Sequence, residues 1–510
     1  MTAPTTHREI ERKFRVHALF EWPNLTGVVD SIELQPAVEL SAVYHDTAEL
    51  TLFRWKVTLR RREGGLDAGW HLKLPVFGES ASVRDELHAP LGAGAVGSVP
   101  AELADIVAPM VRDKPLVPVV RLHTRRTPRI VRSLAGVPLV EMVDDVVSVL
   151  DDQGNSLAIF RELEIELLDN DSPDAHDALE HLTEALLAVG AVPGSTSKAA
   201  AALGPRAAAP ADVPELPMPK PSGMAADAIR ATIARHVRDL ILADIAVRRD
   251  LPDAVHQVRV SARRLRSVLR TFDPLLDHEW ALALEEELSW LADEMGLIRD
   301  TEVLEERLLA HATQLDGPDA LLAIPAITAM LDRRVEGARS GALAALRSDR
   351  HTYLIDDLIQ AARAPQLQDS AYQACEDVLP ALVADAWRTL VKATHRLEIF
   401  GPAPEWHRAR IKAKRARYAV DAVLPIFQGR VRRLSKELAE VTELLGDHQD
   451  AWVAQEFLRE LAGAATTDGA TGYALGLLHG IELEAEMTSR YAFADIWDAA
   501  RDAARHSGLL

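Results

Sequence analysis

The sequence predicts an α+β multidomain protein, with an antiparallel β domain first and an all-α second half. Three observations carry this. The spacing of apolar residues changes from two to about 3.6 midway along the chain. Six prolines (Pro205, Pro210, Pro214, Pro217, Pro219 and Pro221) crowd the stretch where the change occurs. On the helical side, one long motif is written twice. The 510 residues are 48% hydrophobic and 26% charged, a globular composition. A single cysteine, Cys375, excludes a disulfide framework and a cysteine-based zinc finger. The opening MTAPTTHREIERKF lacks the apolar core of a signal peptide, and no apolar run approaches the roughly 20 residues of a membrane helix. The expectation is a soluble, cytoplasmic protein without membrane contact.

Residues 1–200 hold 20 basic and 30 acidic side chains, and the remainder 37 and 47, so each part carries −10 of the total −20. This disfavours nucleic acid as a partner, and stacking aromatics are few at 5%. Basic clusters in an acidic chain therefore need a specific reason.

The strands come first. Glu9, Glu11 and Lys13 share one parity against Ile10 and Phe14. Arg60 and Arg62 alternate with Val57 and Leu59, and His71 and Lys73 with Leu72 and Leu74. Arg84, Glu86 and His88 share a parity, as do Arg121, His123 and Arg125, and Glu141 and Asp145. Glu162, Glu164 and Glu166 alternate with Leu163, Ile165 and Leu167. Gly64-Gly65 and Gly154-Asn155 read as turns. An ordinary sheet would turn such faces to water. Dense like charges repel, however, and persist most easily around something of opposite sign, as inside a closed barrel with a polar interior. There the carboxylates would hold Mg²⁺ or Mn²⁺ and the cations would grip phosphate oxygens.

Glu9-Ile10-Glu11-Arg12-Lys13 resembles the ExExK signature of CYTH domains, the triphosphate tunnel metalloenzymes, and later charged segments follow in the family's order over about residues 5–200. The resemblance implies an eight-stranded antiparallel β tunnel barrel with helices that hydrolyses triphosphate-containing substrates with a divalent metal. It implies catalytic roles for Glu9, Glu11, Lys13, Lys73, Glu164 and Glu166. It assigns substrate contacts to Lys13, Arg60, Arg62, Lys73, Arg84, Arg121, Arg125 and Lys198. Metal binding falls to Glu9, Glu11, Asp145, Glu162, Glu164 and Glu166. Parity selects Asp145 over Asp144 and Arg125 over Arg126. The expected boundaries are a CYTH domain over 5–203, a semi-rigid Pro-rich linker over 204–222 and a helical domain over 223–505.

Beyond the linker, Ala225–Arg249, Ala254–Phe272, Glu279–Leu297 and Leu434–Leu445 read as amphipathic helices. The motif His256-x-x-Arg259-x-x-x-Arg263-Arg264-x-Arg266 recurs as His407-x-x-Arg410-x-x-x-Lys414-Arg415-x-Arg417. Gly296 and Asp300 follow the first copy, and Gly446 and Asp450 follow the second at nearly the same offsets. This predicts a duplicated helical bundle. At 100° per residue His256, Arg259, Arg263 and Arg266 form one basic stripe, and His407, Arg410, Lys414 and Arg417 a second. This half resembles the CHAD domain, which implies a basic cleft that binds inorganic polyphosphate, with His448 of the Leu445–Asp450 segment joining it. The whole reads as a metal-dependent triphosphatase for inorganic triphosphate or short polyphosphate, its helical half binding longer polyphosphate and associating with polyphosphate granules. The alternatives are a non-catalytic polyphosphate-binding protein, or a tunnel enzyme acting on thiamine triphosphate or nucleoside triphosphates, including ATP cyclisation. Oligomeric state is left open.

Overall fold

The structure is a computed structural model that describes residues 5–76, 83–95, 97–194, 197–464 and 468–509. The chain divides into two compact units, one ending at Asp212 and the other beginning at Val213.

The first unit carries ten strands: β1 Thr5–Val16, β2 Ser31–Leu34, β3 Val38–Asp46, β4 Thr58–Glu63, β5 Gly69–Pro75, β6 Val83–Pro90, β7 Val117–Arg132, β8 Pro138–Leu150, β9 Ser156–Leu167 and β10 Val192–Gly194. Eight of them run in the order β1-β6-β5-β4-β3-β7-β8-β9, every neighbour antiparallel, and β9 pairs back with β1 to close the barrel. Closure removes the sheet edges. The short β2 and β10 add to β7 and β1. Four helices, α1 Thr51–Arg54, α2 Ala101–Val111, α3 Pro173–Ala188 and α4 Lys198–Leu203, complete the unit. Gly64 sits at φ +85° in the β4–β5 turn, where a Cβ would collide with the Glu39 carbonyl.

Strand alternation divides the side chains between two environments. Outward Val140, Met142, Leu163, Ile165 and Leu167 are buried beneath Leu179, Leu182 and Leu186 of α3. On the other parity, Tyr44, Val120, Leu122, Val147 and Val149 pack with Leu50, Phe53 and Ala199. The barrel interior is therefore apolar beside α4 and charged elsewhere.

The Pro-rich stretch is packed rather than free. Ala207 joins the apolar cluster with Ala199, and Asp212 accepts from Trp55 Nε1 and pairs with Arg112, each at 2.8 Å. In the second unit, Val213 is buried and its carbonyl accepts from Arg238.

That unit holds ten helices among the described residues: α5 Ala225–Arg248, α6 Ala254–Phe272, α7 His278–Glu294, α8 Gly296–Ala312, α9 Gly317–Leu346, α10 Asp349–Arg363, α11 Cys375–Thr394, α12 Ala403–Phe427, α13 Arg432–Ala462 and α14 Gly469–His506. Pro252, Pro274, Pro318, Pro365 and Pro402 all fall at helix boundaries. The expected Leu434–Leu445 helix is longer: α13 runs through Gly446 to Ala462. In the first copy of the repeat, the same place is a break at Met295 between α7 and α8. Among the described residues no helix is long and apolar enough to cross a membrane.

Candidate functional site

The barrel register stacks acidic side chains in rows. Glu11 on β1 lies opposite Glu166 on β9, which lies opposite Glu141 on β8. Three like charges side by side are unfavourable. Two strand positions further along, Lys13 faces Glu164, and beyond it Arg126, Asp145 and Glu162 fall in one row across β7, β8 and β9. Lys13 Nζ pairs with Glu11 (2.9 Å) and Glu164 (2.6 Å). Lys198, at the start of α4, reaches Asp145 (3.0 Å), Glu162 (3.1 Å) and Glu164 (2.7 Å). Arg126 forks onto Asp145 at 3.0 and 2.7 Å and touches Glu164 at 3.0 Å. Glu9 is held by Lys73.

β4 and β5 form a basic wall. Arg60 donates to the Tyr44 hydroxyl at 3.4 Å and lies 3.8 Å from Glu86, which also meets His71 Nδ1 at 2.9 Å. The Nε atoms of Arg60 and Arg62 are buried and find no hydrogen-bond partner among the described residues. Burial next to Arg60 and Arg126 pushes Arg62 down to about 9. Arg62 keeps one ion pair, with the exposed Asp67, and that pair does not offset its burial among other cations.

The acidic wall shows the converse. Burial pushes Glu9 up to about 8 against the pull of Lys73, with Glu86 and Glu166 adding to the rise. Burial also raises Glu166 to about 7, helped by Glu11 and Glu164, and raises Glu141. Glu164 stays ionised well below the usual range: burial opposes this, but Lys13, Lys198 and Arg126 outweigh it. A cavity of about 270 Å³ reaches Glu11, Lys13, Lys73 and Arg84 past Gly194 and Ser197.

The structure thus brings Glu9, Glu11, Lys13, Arg60, Arg62, Lys73, Asp145, Glu162, Glu164, Glu166 and Lys198 into one charged interior. Arg84 lies at its edge, donating to the Lys56 carbonyl at 2.6 Å. Two expected residues are elsewhere. Arg121 pairs with exposed Asp152, and Arg125, 68% exposed, pairs with Glu39; both point out of the barrel. The inward residue is Arg126, because β7 turns Val120, Leu122, Thr124 and Arg126 inward. Glu86, Tyr44 and His71 also belong to the interior; Glu86 and His71 were visible as alternating charged positions, whereas nothing marked Tyr44.

A divalent cation suits this donor set. Among the described residues no three ligand side chains stand preassembled around a metal position; Lys198 instead gathers Asp145, Glu162 and Glu164, Lys13 bridges Glu11 and Glu164, and Lys73 holds Glu9. Glu166 and Glu141 make no ion pair among the described residues, and the raised Glu9 and Glu166 mark excess buried carboxylate. Hard carboxylate oxygens short of positive charge fit Mg²⁺ or Mn²⁺. Glu166, Glu11 and Glu9 would hold the ion, which would supply charge neutralisation at phosphate oxygens.

In the helical unit, α6 packs against α12 and the two basic stripes meet. Lys414 lies in the field of Arg410, Arg263 and Arg259, and with burial they push it down to about 7. The Arg263 guanidinium lies 5.8 Å from the Tyr418 ring centre. The Nε atoms of Arg263, Arg266 and Arg410 are buried without partners among the described residues. His256 is lowered by burial and by Arg299, a neighbour the sequence reading did not select. His407 Nδ1 lies 2.6 Å from the Gln449 side-chain oxygen. Arg266 faces the acids of α7, and Arg417 donates to Thr442 of α13 at 2.9 Å. His448 does not join the cleft. It is 1% exposed, stacks on Trp406 at 5.1 Å, and accepts from Arg490 Nε at 3.1 Å. Burial beside Arg490 lowers it to about 4, so it is a neutral core residue.

A closed charged barrel and a duplicated helical unit with a basic cleft define a two-domain tunnel protein. Residues 7–195 match the CYTH domain model and residues 231–459 the CHAD domain model. The uncharacterized protein Rv2226 of Mycobacterium tuberculosis (strain H37Rv) is 36% identical over 519 residues, covering 96% of this chain and 94% of that protein. Among solved structures, PptA from Streptomyces chartreusis is similar at 25% identity and TM-score 0.48, covering 54% of this chain and 100% of that one. HpAC1 from Hippeastrum, for which a dominant triphosphatase activity is described, is 17% identical at TM-score 0.24, covering 38% of this chain and 93% of that one. The chain belongs to the family of proteins in which a CYTH domain is followed by a CHAD domain. CYTH domains are a tunnel-enzyme family that generally uses a divalent metal.

Proposed function

We propose that the tunnel hydrolyses inorganic triphosphate or short polyphosphate with Mg²⁺ or Mn²⁺, and that the helical cleft binds longer polyphosphate. The observation that carries this reading is the presence of two walls of opposite charge in one closed barrel. A linear polyphosphate is the ligand whose chemistry answers both. Its oxygens satisfy the unpartnered nitrogens of Arg60 and Arg62 on the basic wall. Its phosphates also bring a divalent cation to Glu11 and Glu166 on the acidic one. Phosphoryl transfer needs mainly alignment and charge neutralisation, which fixed arginines and lysines provide without covalent chemistry. In hydrolysis, water adds to a terminal phosphorus, the bridging P–O bond breaks, and orthophosphate leaves the shortened chain. Lys13 and Lys73, pinned between carboxylates, are placed to change partners as phosphate enters.

The cleft supports the second half of the proposal by its two converging stripes inside a unit of net acidic charge. The test is a panel of tripolyphosphate, thiamine triphosphate and ATP, with and without Mg²⁺ and Mn²⁺, beside titration of labelled long-chain polyphosphate. Release from tripolyphosphate above the others supports the reading. Preference for thiamine triphosphate or ATP would move the substrate, and binding without any turnover would make the protein a receptor.

A further inference from the structure

The repeat contains more than cations. Asp300 and Asp450 stand at matching places after the two basic stripes, and each meets the matching arginine. Arg259 Nη2 lies 3.1 Å from Asp300, and Arg410 Nη2 lies 3.8 Å from Asp450. The same pair occurring twice on duplicated helices is unlike the scattered i,i+3 pairs on the outer faces, such as Arg388 with Asp385.

The position of the acids indicates their role. An acid that braces an arginine from behind is buried, as Asp244 is behind Arg248 and Glu285 beside Arg270. The Asp300 side chain is instead 72% exposed. Arg259 is anchored on its inner side, where Nη1 donates to the Met295 carbonyl at 3.4 Å and comes within 3.2 Å of where a Cβ on Gly296 would stand. Its other nitrogen meets Asp300 from the solvent side, the side from which an anion arrives. Asp450 is 34% exposed, and Asp300 also acts on Arg410 across the cleft. The resemblance between copies has one limit: Gly446 has nothing within 4 Å of a Cβ, so the close approach at Gly296 is not repeated.

We propose that Asp300 and Asp450 are internal competitors for the cleft arginines, a pair of latches that keep each stripe self-paired until a polyanion displaces both. This rests on the reading of the cleft as a polyphosphate site. It adds a regulated resting state: the acids lower affinity, reject lone anions, and let a bound chain be released.

The test uses the full chain, with long-chain polyphosphate and tripolyphosphate titrated at fixed salt. Asp300→Asn and Asp450→Asn should each tighten long-chain binding about two- to fivefold, the range of an exposed ion pair. Together they should tighten it more than either alone and up to about the product of the two, the shortfall reflecting Arg410, on which both acids act. Weaker binding in either variant, or a double variant no tighter than the better single one, would overturn the latch. Unfolding midpoints are measured alongside, and Asp→Ser replaces any Asn variant that does not fold. If the parent protein binds no polyphosphate, the reading of the cleft fails and the latch with it. If the parent binds and the Asn variants bind more weakly, only the latch fails, and the acids orient the arginines.

Discussion

Removing one carboxylate should make the metal-free barrel more stable. Glu166 is half-buried between Glu11 and Glu141 in a row of like charges, without an ion pair among the described residues. Its proton is held to about pH 7 in the folded state, against an ordinary value of 4.5. For an acid raised in this way, folded and unfolded chains are equally protonated below pH 4.5. Between pH 4.5 and 7 only the unfolded chain ionises, so stability falls as pH rises. At about 1.4 kcal/mol per pH unit across that window, the cost reaches about 3 kcal/mol above pH 7. Glu166→Gln keeps the shape and removes the charge. In EDTA at pH 8 it should stabilise the barrel by up to about 3 kcal/mol, and at pH 4.5 by almost nothing. With Mg²⁺ the order should narrow or reverse, because the parent gains binding free energy that the variant lacks. Hydrogen exchange of the β1 and β9 amides in the full chain reads barrel opening directly. A variant less protected than the parent at pH 8 in EDTA would refute the reasoning, since the row would then be held together by Glu166.

Three further outcomes are expected. Arg126→Ala should cost about 1.5–3 kcal/mol in barrel stability by removing the fork on buried Asp145, which Lys198 only partly replaces, whereas Arg125→Ala should stay within about 0.5 kcal/mol; urea unfolding separates them. A fragment of residues 1–212 should fold and retain turnover, whereas one ending at residue 203 should melt lower, having lost Ala207 and the Asp212 contacts with Trp55 and Arg112. Arg259→Ala with Arg263→Ala, and separately Arg410→Ala with Lys414→Ala, should each weaken long-chain polyphosphate binding at least tenfold, an order-of-magnitude figure for several lost phosphate contacts, and flatten its salt dependence. Tripolyphosphate hydrolysis should hardly change, and binding equal to the parent in both double variants would mean that the stripes are merely solvated faces.

Strand alternation made most of the barrel legible, because charged residues two apart recur on segment after segment. It failed on β7 for a specific reason. The reading took the charged parity as the inner one, but this interior is apolar beside α4, where Val120, Leu122, Val147 and Val149 pack. On β7 the inward set therefore reads as apolar until Arg126, and the conspicuous Arg121, His123 and Arg125 face outward. In the helical half, five prolines marked boundaries, although Pro325, Pro380 and Pro425 lie within helices, and Gly446 gave no warning that α13 continues through it. A glycine inside a helix costs only about 1 kcal/mol, less than packing returns, and the continued helix carries His448 into the core. The duplicated motif placed the facing stripes, and its trailing aspartates proved to be partners of its arginines. What spacing could not supply was partner choice: Glu86 with His71 is a diagonal pair set by the β5–β6 register, and Lys198 meets three carboxylates because of where the start of α4 packs on β8 and β9.

The central claim is that the acidic wall works with a metal on a phosphate chain. Its most direct test is phosphate release from tripolyphosphate by the parent and by Glu11→Gln, each with Mg²⁺, with Mn²⁺ and with EDTA. The account predicts release by the parent only with metal, and a loss of at least about a hundredfold in the folded variant, in line with removal of a group that stabilises the transition state. Full turnover by Glu11→Gln, or turnover by the parent in EDTA, would contradict it.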